Sequence, residues 1–350
     1  MSSEVVPDLV DGFGPGQHGE GKGSAMAQSL HIGDTIPCRG HVFLSGPPRS
    51  GTTLLELVLS AHSSVTITPE ASSIDQLIRR HSYWDKVLKR SEVERVFRVM
   101  KSDQKLIGWP GFDLNDFMQW RTAREDPLTL VDLLDSLFWY FAISVGGGTE
   151  YLGNKKGSYA SGHAPLTKRL FPDAKFIYTV RDPRDVVRSM GANFTGCTPE
   201  SEVAICAIRS CYISRMCRTY PEDCLELKYE DLVLTPMETC SQICAFLGIS
   251  FESGMLEFYK RNQEGQSLLG HTAHIHPNTQ TPFNPELIGQ WQRKGGLTAS
   301  QVEDIEIINR EYMIKYGYEF HTKCRSISSA SMLLKSRVRL WKARMRSRIR

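Results

Sequence analysis

A turn rich in glycine and proline, between an apolar strand and an apolar helix, is the stretch of this sequence best suited to bind an anion. His41 to Leu44 read as a short buried strand, Ser45-Gly-Pro-Pro48 interrupt it, and a strongly apolar helix is predicted from Thr52. Free backbone N–H groups and the positive end of the helix dipole converge at such a turn. Arg49 adds a cation within it. The segment therefore predicts a site for a phosphate-like group.

The spacing of this turn matches the P-loop pattern with one departure. Gly46 and Gly51 are separated by four residues and are followed by Thr52 and Thr53, but Thr52 stands where the P-loop lysine belongs. In a nucleoside triphosphatase that lysine contacts the β and γ phosphates. Because the cation lies earlier, at Arg49, a different phosphate-like group is expected here.

A second candidate anion site follows the clearest buried strand of the sequence. Lys175 to Val180 are β-branched and aromatic, and they lead directly into Arg181, with Ser189 eight residues later. In an open parallel sheet the carboxyl ends of the strands form the ligand-binding edge. Arg181 and Ser189 are therefore expected to lie near the first turn.

Together these residues resemble the sulfotransferases that use 3′-phosphoadenosine 5′-phosphosulfate (PAPS). The 5′-phosphosulfate loop of that family reads very like Pro48-Arg-Ser-Gly-Thr-Thr-Leu-Leu55, and its 3′-phosphate site has an Arg and a Ser eight residues apart. The resemblance extends from about residue 41 to 320 and is greatest to the tyrosylprotein sulfotransferases. It implies an enzyme that transfers the sulfuryl group of PAPS, in line and without a metal, to a hydroxyl or amine.

The resemblance also implies roles for individual residues. Glu70 falls on the catalytic base and Lys155 on the active-site lysine that stabilises the leaving oxygen. The implied PAPS-binding residues are Arg49, Ser50, Gly51, Thr52, Thr53, Arg181, Ser189, Tyr229, Arg293 and Lys294. Two positions depart from the family pattern: Pro69 replaces the first Glu of a pair, and Gly289 replaces a serine near the nucleotide.

The residues themselves leave other interpretations open. Glu70 taken alone would be a surface carboxylate near a helix start, and Arg293 and Lys294 would be an ordinary basic loop. The loop pattern also permits a P-loop kinase-like phosphoryl transferase, and the basic tail permits a non-catalytic binding module. The acceptor is open as well: a small molecule, a carbohydrate or a peptide tyrosine. His271, His274 and His276 have a spacing that a metal could use, but we expect a solvated or acceptor-facing loop there.

Alternating strands and helices predict an α/β fold, a P-loop-like and mainly parallel sheet with helices on both faces. We expect a disordered glycine-rich leader over residues 1–38, a sulfotransferase domain over 39–323 and a basic tail over 324–350. Single helices are predicted over Ile74–Met100 and Thr298–Tyr316, with an irregular aromatic segment over Lys101–Asp126.

Composition is that of an ordinary globular protein, with 41% hydrophobic and 23% charged residues. The net charge of +3 hides an uneven distribution, since residues 331–350 hold eight Lys or Arg and no acid. We expect this tail to bind anionic membranes or polyanions, with a solvated tail that has no partner as the alternative, and we expect no specific nucleic-acid partner. No signal peptide or membrane-spanning run is visible, which favours a cytoplasmic location. The nine cysteines include no Cys-x-x-Cys pair and are read as buried free thiols. Cys217 and Cys224 lie near a disulfide position of the resembled family, so a disulfide between these two is the open alternative.

Overall fold

The computed structural model describes residues 38–79, 86–124, 126–193, 199–263, 268, 277–322, 338 and 340–342. Its centre is a five-stranded sheet with the spatial order β2-β3-β1-β4-β5, and all four strand pairs are parallel. The strands are β1 (Gly40–Ser45), β2 (Val65–Thr68), β3 (Tyr151–Lys155), β4 (Lys175–Val180) and β5 (Cys224–Lys228). The predicted fold class is confirmed.

Helices connect the strands and surround the sheet. They are α1 (Thr52–Ser60), α2 (Ser72–Ile78), α3 (Arg90–Lys101), α4 (Gln104–Ile107), α5 (Leu114–Thr122), α6 (Leu130–Ser144), α7 (Ala164–Leu170), α8 (Pro183–Asn193), α9 (Pro199–Thr219), α10 (Tyr229–Leu234), α11 (Pro236–Leu247), α12 (Phe258–Gln263), α13 (Ala299–Ile308) and α14 (Arg310–Tyr316). None of those in the described ranges is long and apolar enough to span a bilayer.

The central strands are buried because both of their faces are covered. Every residue of β1 is buried, and the ring of Phe43 packs among aromatic side chains from α6 and from the segment before β4, including Phe138 and Phe171. Such packing explains the continuous apolar runs of β1 and β4. The register pairs Leu44 with Lys155 and Val180 with Lys228, so the carboxyl ends of the strands are adjacent. This edge of the sheet is where side chains following different strands meet.

Three predicted elements differ from the structure. The single helix expected over Ile74–Met100 is two helices, α2 and α3, with Leu88 and Lys89 outside helical structure. The helix expected over Thr298–Tyr316 is interrupted at Asn309, whose buried side chain bonds to the backbone of α9 at Val203 and Ala207. The segment expected to be irregular contains α4 and α5. In each case tertiary contacts and local capping decide where the helices begin and end.

Several expectations concern residues outside those described. The predicted leader, nearly all of the basic tail and the three histidines at 271, 274 and 276 lie there. Among the cysteines that the structure does describe, seven are free thiols, including the neighbouring Cys217 and Cys224. Within the same ranges no cluster of three or more His, Cys, Asp or Glu has a metal-binding arrangement.

Candidate active site

A cleft of about 610 Å³ opens at the carboxyl edge of the sheet. Residues at or just after the end of each strand line this cleft. The turn at Pro48–Thr53 follows β1, Glu70 follows β2, and Lys155 ends β3; Arg181 follows β4, and Tyr229 follows β5. A cavity of this size at this edge of a parallel sheet is typical of a ligand site.

The turn after β1 has a backbone that requires glycine at two positions. A Cβ at Gly46 would lie 2.4 Å from the Thr179 carbonyl oxygen. Gly51 has φ 89°, in the left-handed region, and immediately precedes α1. Arg49 also has a positive φ, of 61°, which is unusual for a residue with a side chain. The turn is therefore shaped to bring the chain sharply into the first turn of α1, where N–H groups have no helical partner.

Ser50 supports the turn from within. Its side chain is fully buried, and its hydroxyl donates to the Pro47 carbonyl oxygen at 2.6 Å and contacts the Thr179 hydroxyl at 2.8 Å. Its backbone N–H is bonded to Pro47 as well. The neighbouring Gly51, Thr52 and Thr53 line the cleft, whereas Ser50 does not. Ser50, predicted as a PAPS-binding residue, thus holds the turn in shape in this structure.

Two guanidinium groups lie together on the side of the cleft formed by α8. Arg49 Nε donates to the Ser189 hydroxyl at 3.0 Å, and Arg181 donates to the Arg49 carbonyl oxygen at 3.1 Å. Burial and the charge of Arg181 lower the pKa of Arg49. The two sites predicted separately from the sequence therefore form one continuous basic surface. An anion bound there would relieve the repulsion between the two cations.

Tyr229 contacts both Arg181 and the turn that contains Arg49. Its ring lies under the Arg181 guanidinium, 4.1 Å from the ring centroid, and packs so closely on Gly51 that a Cβ there would lie 2.4 Å from a ring carbon. Tyr229 is the first residue of α10 and directly follows Lys228, the last residue of β5. It lines the cleft, and its contact with the nucleotide remains a prediction.

Lys155 reaches the start of α1 from the end of β3. Its Nζ lies 3.0 Å from the Thr53 hydroxyl and 3.0 Å from Oε2 of Glu56, both on α1. Burial alone would lower the pKa of Lys155, but Glu56 and Glu70 outweigh burial and raise it. Lys155 is therefore a permanent cation at the bottom of the cleft.

Glu70 lines the cleft and is surrounded by lysines. Its Oε2 accepts from Lys105 Nζ at 2.9 Å and lies 4.0 Å from Lys156 Nζ. Burial would raise the pKa of Glu70, but the charges of Lys155, Lys105 and Lys156 lower it. The Trp109 indole donates to the Glu70 carbonyl oxygen at 3.3 Å, which anchors its backbone. The carboxylate is therefore ionised at neutral pH and oriented into the cleft.

Arg293 and Lys294 do not reach the cleft in this structure. Both are exposed, and neither lines the cavity. The segment just before them, Gly289 to Trp291, is nevertheless bonded to the cleft wall. Asp185, which lines the cleft, accepts from the backbone N–H groups of Gly289 at 2.8 Å and Trp291 at 3.0 Å. The role predicted for Arg293 and Lys294 remains a prediction.

Sequence reasoning missed four charged residues of the cleft: Glu56, Lys105, Asp185 and Arg188. Only Glu56 carried a signal, since it is a lone acid in the otherwise apolar start of α1. Arg188 precedes Ser189 and donates to the Gln290 side chain at 2.6 Å. Lys105 lies on the short helix α4, within a segment that was expected to be irregular. Its proximity to Glu70 depends on tertiary packing.

Known proteins resemble this chain in sequence and in fold. A protein-tyrosine sulfotransferase of Drosophila melanogaster is 27% identical over 267 residues, which cover 71% of this chain and 46% of that protein. Protein-tyrosine sulfotransferase 1 of Danio rerio is 25% identical over 297 residues, 80% of this chain and 72% of that protein. This chain thus spans about half of the first relative and about seven tenths of the second.

Solved structures show the same fold. The sulfotransferase domain of the Synechococcus PCC 7002 olefin synthase aligns with a TM-score of 0.58 at 20% identity, covering 83% of this chain and 98% of that domain. The sulfotransferase domain from the curacin biosynthetic pathway aligns with a TM-score of 0.54 at 22% identity, covering 80% of this chain and 98% of that domain. The sequence profile of the sulfotransferase family matches residues 41–253. Because that match covers more than half of the chain, this protein belongs to the sulfotransferase family.

Proposed function

We propose that this sulfotransferase moves the sulfuryl group of PAPS to an acceptor hydroxyl, with Glu70 as the general base. One observation carries the proposal: the basic surface of Arg49 and Arg181, the Lys155 ammonium and the Glu70 carboxylate line a single cleft. A donor with phosphate groups at both ends needs the first two features, and removal of a proton from a hydroxyl needs the last.

The residues fit such a donor. Arg49 and Arg181 are partly buried side by side, and Arg181 Nε has no hydrogen-bond acceptor among the described residues. Gly51, Thr52 and Thr53 supply the start of α1, where backbone N–H groups bind anions. Arg49, Arg181 and Ser189 would hold the phosphates, and the Tyr229 ring would lie between the two ends of the site.

PAPS supplies an activated sulfuryl group on a phosphate leaving group, and such transfers resemble phosphoryl transfer in having a loose transition state. Lys155 would neutralise charge that develops on the leaving oxygen, because its Nζ is fixed beside Thr53. Glu70 would accept the proton of the attacking hydroxyl at its carboxylate. Lys105 would orient that carboxylate, since it bonds to Oε2.

Among hydroxyl acceptors we propose a tyrosine side chain in a peptide as the first to test. The curated relatives are named protein-tyrosine sulfotransferases. The cleft is also lined by Trp109, whose indole bonds to Glu70, and by Pro110 and Phe283, and these side chains suit an aromatic ring.

The test is transfer from radiolabelled PAPS to a tyrosine peptide, with a matched phenylalanine peptide as the control. We expect label in the tyrosine peptide alone. Phenol, alcohol, sugar and amine acceptors are assayed in parallel, and transfer only to one of those would overturn the tyrosine proposal but keep the donor. Turnover with ATP and magnesium but not with PAPS would instead support the kinase-like alternative and contradict the proposed function.

A further inference from the structure

Glu56 is a carboxylate buried within an otherwise apolar helix. Its residue is 1% exposed, and it lies between Leu55 and Leu57 on α1. Thr53 and Glu56 are three residues apart, so they share a face of the helix. On that face Lys155 Nζ contacts both of them, at 3.0 Å from the Thr53 hydroxyl and 3.0 Å from the Glu56 carboxylate. A buried charge of this kind needs a partner, and Lys155 is that partner.

The charged groups acting on Glu56 come from two elements. Lys155 reaches it from the end of β3, and Glu70 acts from the segment after β2. Among the residues that the structure describes, the charged groups on other elements that contact α1 lie at its C-terminal end. There Arg261 of α12 bonds to the Ser60 carbonyl oxygen, and Glu252 lies 3.6 Å from His62. The charge balance at Glu56 therefore depends mainly on one ammonium.

That same ammonium is the cation assigned above to the donor, so this inference rests on the proposed function. When a phosphate group pairs with the Lys155 ammonium, that ammonium stabilises the Glu56 carboxylate less. The phosphate also brings negative charge close to this buried carboxylate. We propose that Glu56 is a positioning residue of the donor site, which orients the Lys155 ammonium beside Thr53 and takes up a proton from solvent when a nucleotide phosphate pairs with that ammonium.

The proton affinity of Glu56 is suited to this behaviour. Burial raises its pKa to about 7, although Lys155 acts in the opposite direction. The arrival of an anion raises the pKa further, because it weakens the one interaction that favours the ionised form. Above neutral pH the carboxylate is ionised in the free protein and becomes protonated in the complex. Binding is then linked to uptake of roughly one proton at pH 8.

The experiment is isothermal titration calorimetry with the product nucleotide, 3′-phosphoadenosine 5′-phosphate (PAP), at pH 8 in two buffers of different ionisation enthalpy. Phosphomonoesters are almost fully ionised at this pH, so PAP itself contributes little uptake. We expect uptake of about one proton by the wild-type protein and an affinity that weakens about tenfold for each pH unit above neutral. Glu56→Gln should bind PAP without proton uptake and with little dependence on pH.

Glu70→Gln is the matched control, because it removes the other carboxylate acting on Lys155 and should leave the uptake in place. Proton uptake that persists in Glu56→Gln but disappears in Glu70→Gln overturns the assignment. A purely structural role for Glu56 would lower the melting temperature of the variant and leave the proton number unchanged. If Glu56→Gln does not fold, the wild-type protein alone decides, since PAP binding without buffer dependence at pH 8 contradicts this inference. Absence of any PAP binding contradicts the proposed function itself, and this inference with it.

Discussion

The two carboxylates of the cleft have opposite surroundings. Glu70 is 35% exposed at its side chain and has three lysines nearby, which lower its pKa. Glu56 is buried and has one lysine, and its pKa is raised to about 7. Environments that separate the pKa values of two acids commonly assign them different tasks. Glu70, ionised and open to the cleft, is suited to meet the acceptor; Glu56 is suited to respond to the donor.

Replacing Glu70 by Gln should abolish most of the transfer activity. Gln retains the shape and a hydrogen-bond acceptor for Lys105 but cannot take a proton, so turnover should fall by about 10²–10⁴-fold. PAP affinity should change much less, because no phosphate contact is assigned to Glu70. Steady-state rates and PAP titrations on the same variant measure both quantities. Glu257→Gln, which removes an exposed carboxylate paired with Lys260, is the control. Wild-type turnover in Glu70→Gln would mean that another group is the base.

Replacing Arg49 by Ala should weaken PAP binding without unfolding the protein. Its guanidinium is partly buried, contacts Ser189 and has the cation Arg181 beside it. A lost charge-assisted hydrogen bond costs about 1.5–3 kcal/mol, which corresponds to a Kd roughly 10- to 150-fold higher. Melting temperature should stay the same or rise, because repulsion from Arg181 is relieved. Arg90→Ala, at a side chain that is 95% exposed, controls for loss of charge. Equal PAP affinity in Arg49→Ala and wild type would remove Arg49 from the donor site.

At the scale of elements, the site is built by the ends of parallel strands. Each strand is short, β1 to β4 are largely buried, and the residue that follows each strand must turn into a loop or helix at the same edge. Asp182 and Pro183 illustrate this after β4. Asp182 Oδ1 accepts from the Arg184 N–H at 2.9 Å, and Pro183 is the first residue of α8. Arg181 is thereby held between a rigid strand and a capped helix.

The turn before α1 should not tolerate a side chain at Gly51. Gly51→Ala would place a Cβ against the Tyr229 ring and force alanine into a left-handed conformation. We expect nucleotide binding to be lost or greatly weakened while the secondary structure measured by circular dichroism is retained. Gly162→Ala is the control, since a Cβ there meets no atom within 4 Å and its φ is not in the left-handed region. Normal PAP binding by Gly51→Ala would mean that the turn is not the phosphate site.

At the scale of the whole molecule, a buried histidine ties the sheet to its surroundings at a point away from the cleft. His41, near the start of β1, lies 2.8 Å from Asp135 of α6 and 2.8 Å from Asp173, which precedes β4. Burial alone would lower the pKa of His41, but the two aspartates raise it to about 9. The protonated imidazole therefore joins three parts of the fold.

This cluster makes stability depend on pH. Because the pKa of His41 is higher in the folded chain than its ordinary value of 6.5, its contribution is complete below about pH 6.5 and is lost as pH rises through about 9. The shift corresponds to a contribution on the order of 3 kcal/mol. We expect His41→Gln to be clearly less stable than wild type at pH 6.5, with a smaller difference at pH 9.5, in denaturant titrations at both values. A constant difference across this range would show that His41 stays uncharged in the folded protein.

Much of the site could be predicted because its residues follow short-range patterns. The turn at Gly46–Thr53 and the Arg181–Ser189 pair each lie within one strand–turn–helix unit, where local geometry dictates what the backbone can do. Glu70, Lys155 and Tyr229 came from the resemblance to a known family, and all three line the cleft. The fold class followed from the alternation of strands and helices.

Helix lengths and charge pairing could not be predicted in the same way. Asn309 interrupts a helix because its side chain bonds to α9, over a hundred residues away in the sequence. Ser50 looks like a ligand residue in the motif, yet its hydroxyl is used by Pro47 and Thr179. Arg293 and Lys294 have the right charge, but they are exposed outside the cleft.

By itself the sequence determined the alternation of strands and helices and the strand–turn–helix form of the segment around Gly46–Thr53, since apolar runs and Gly/Pro signals act over a few residues. The tertiary structure alone decided which charges meet. Glu56 and Lys155 are 99 positions apart, and Glu70 and Lys105 are 35 apart, so their contacts exist only once the strand ends and α4 have packed together. The pKa of a carboxylate depends on burial and on neighbouring charges, and both arise only in the folded chain.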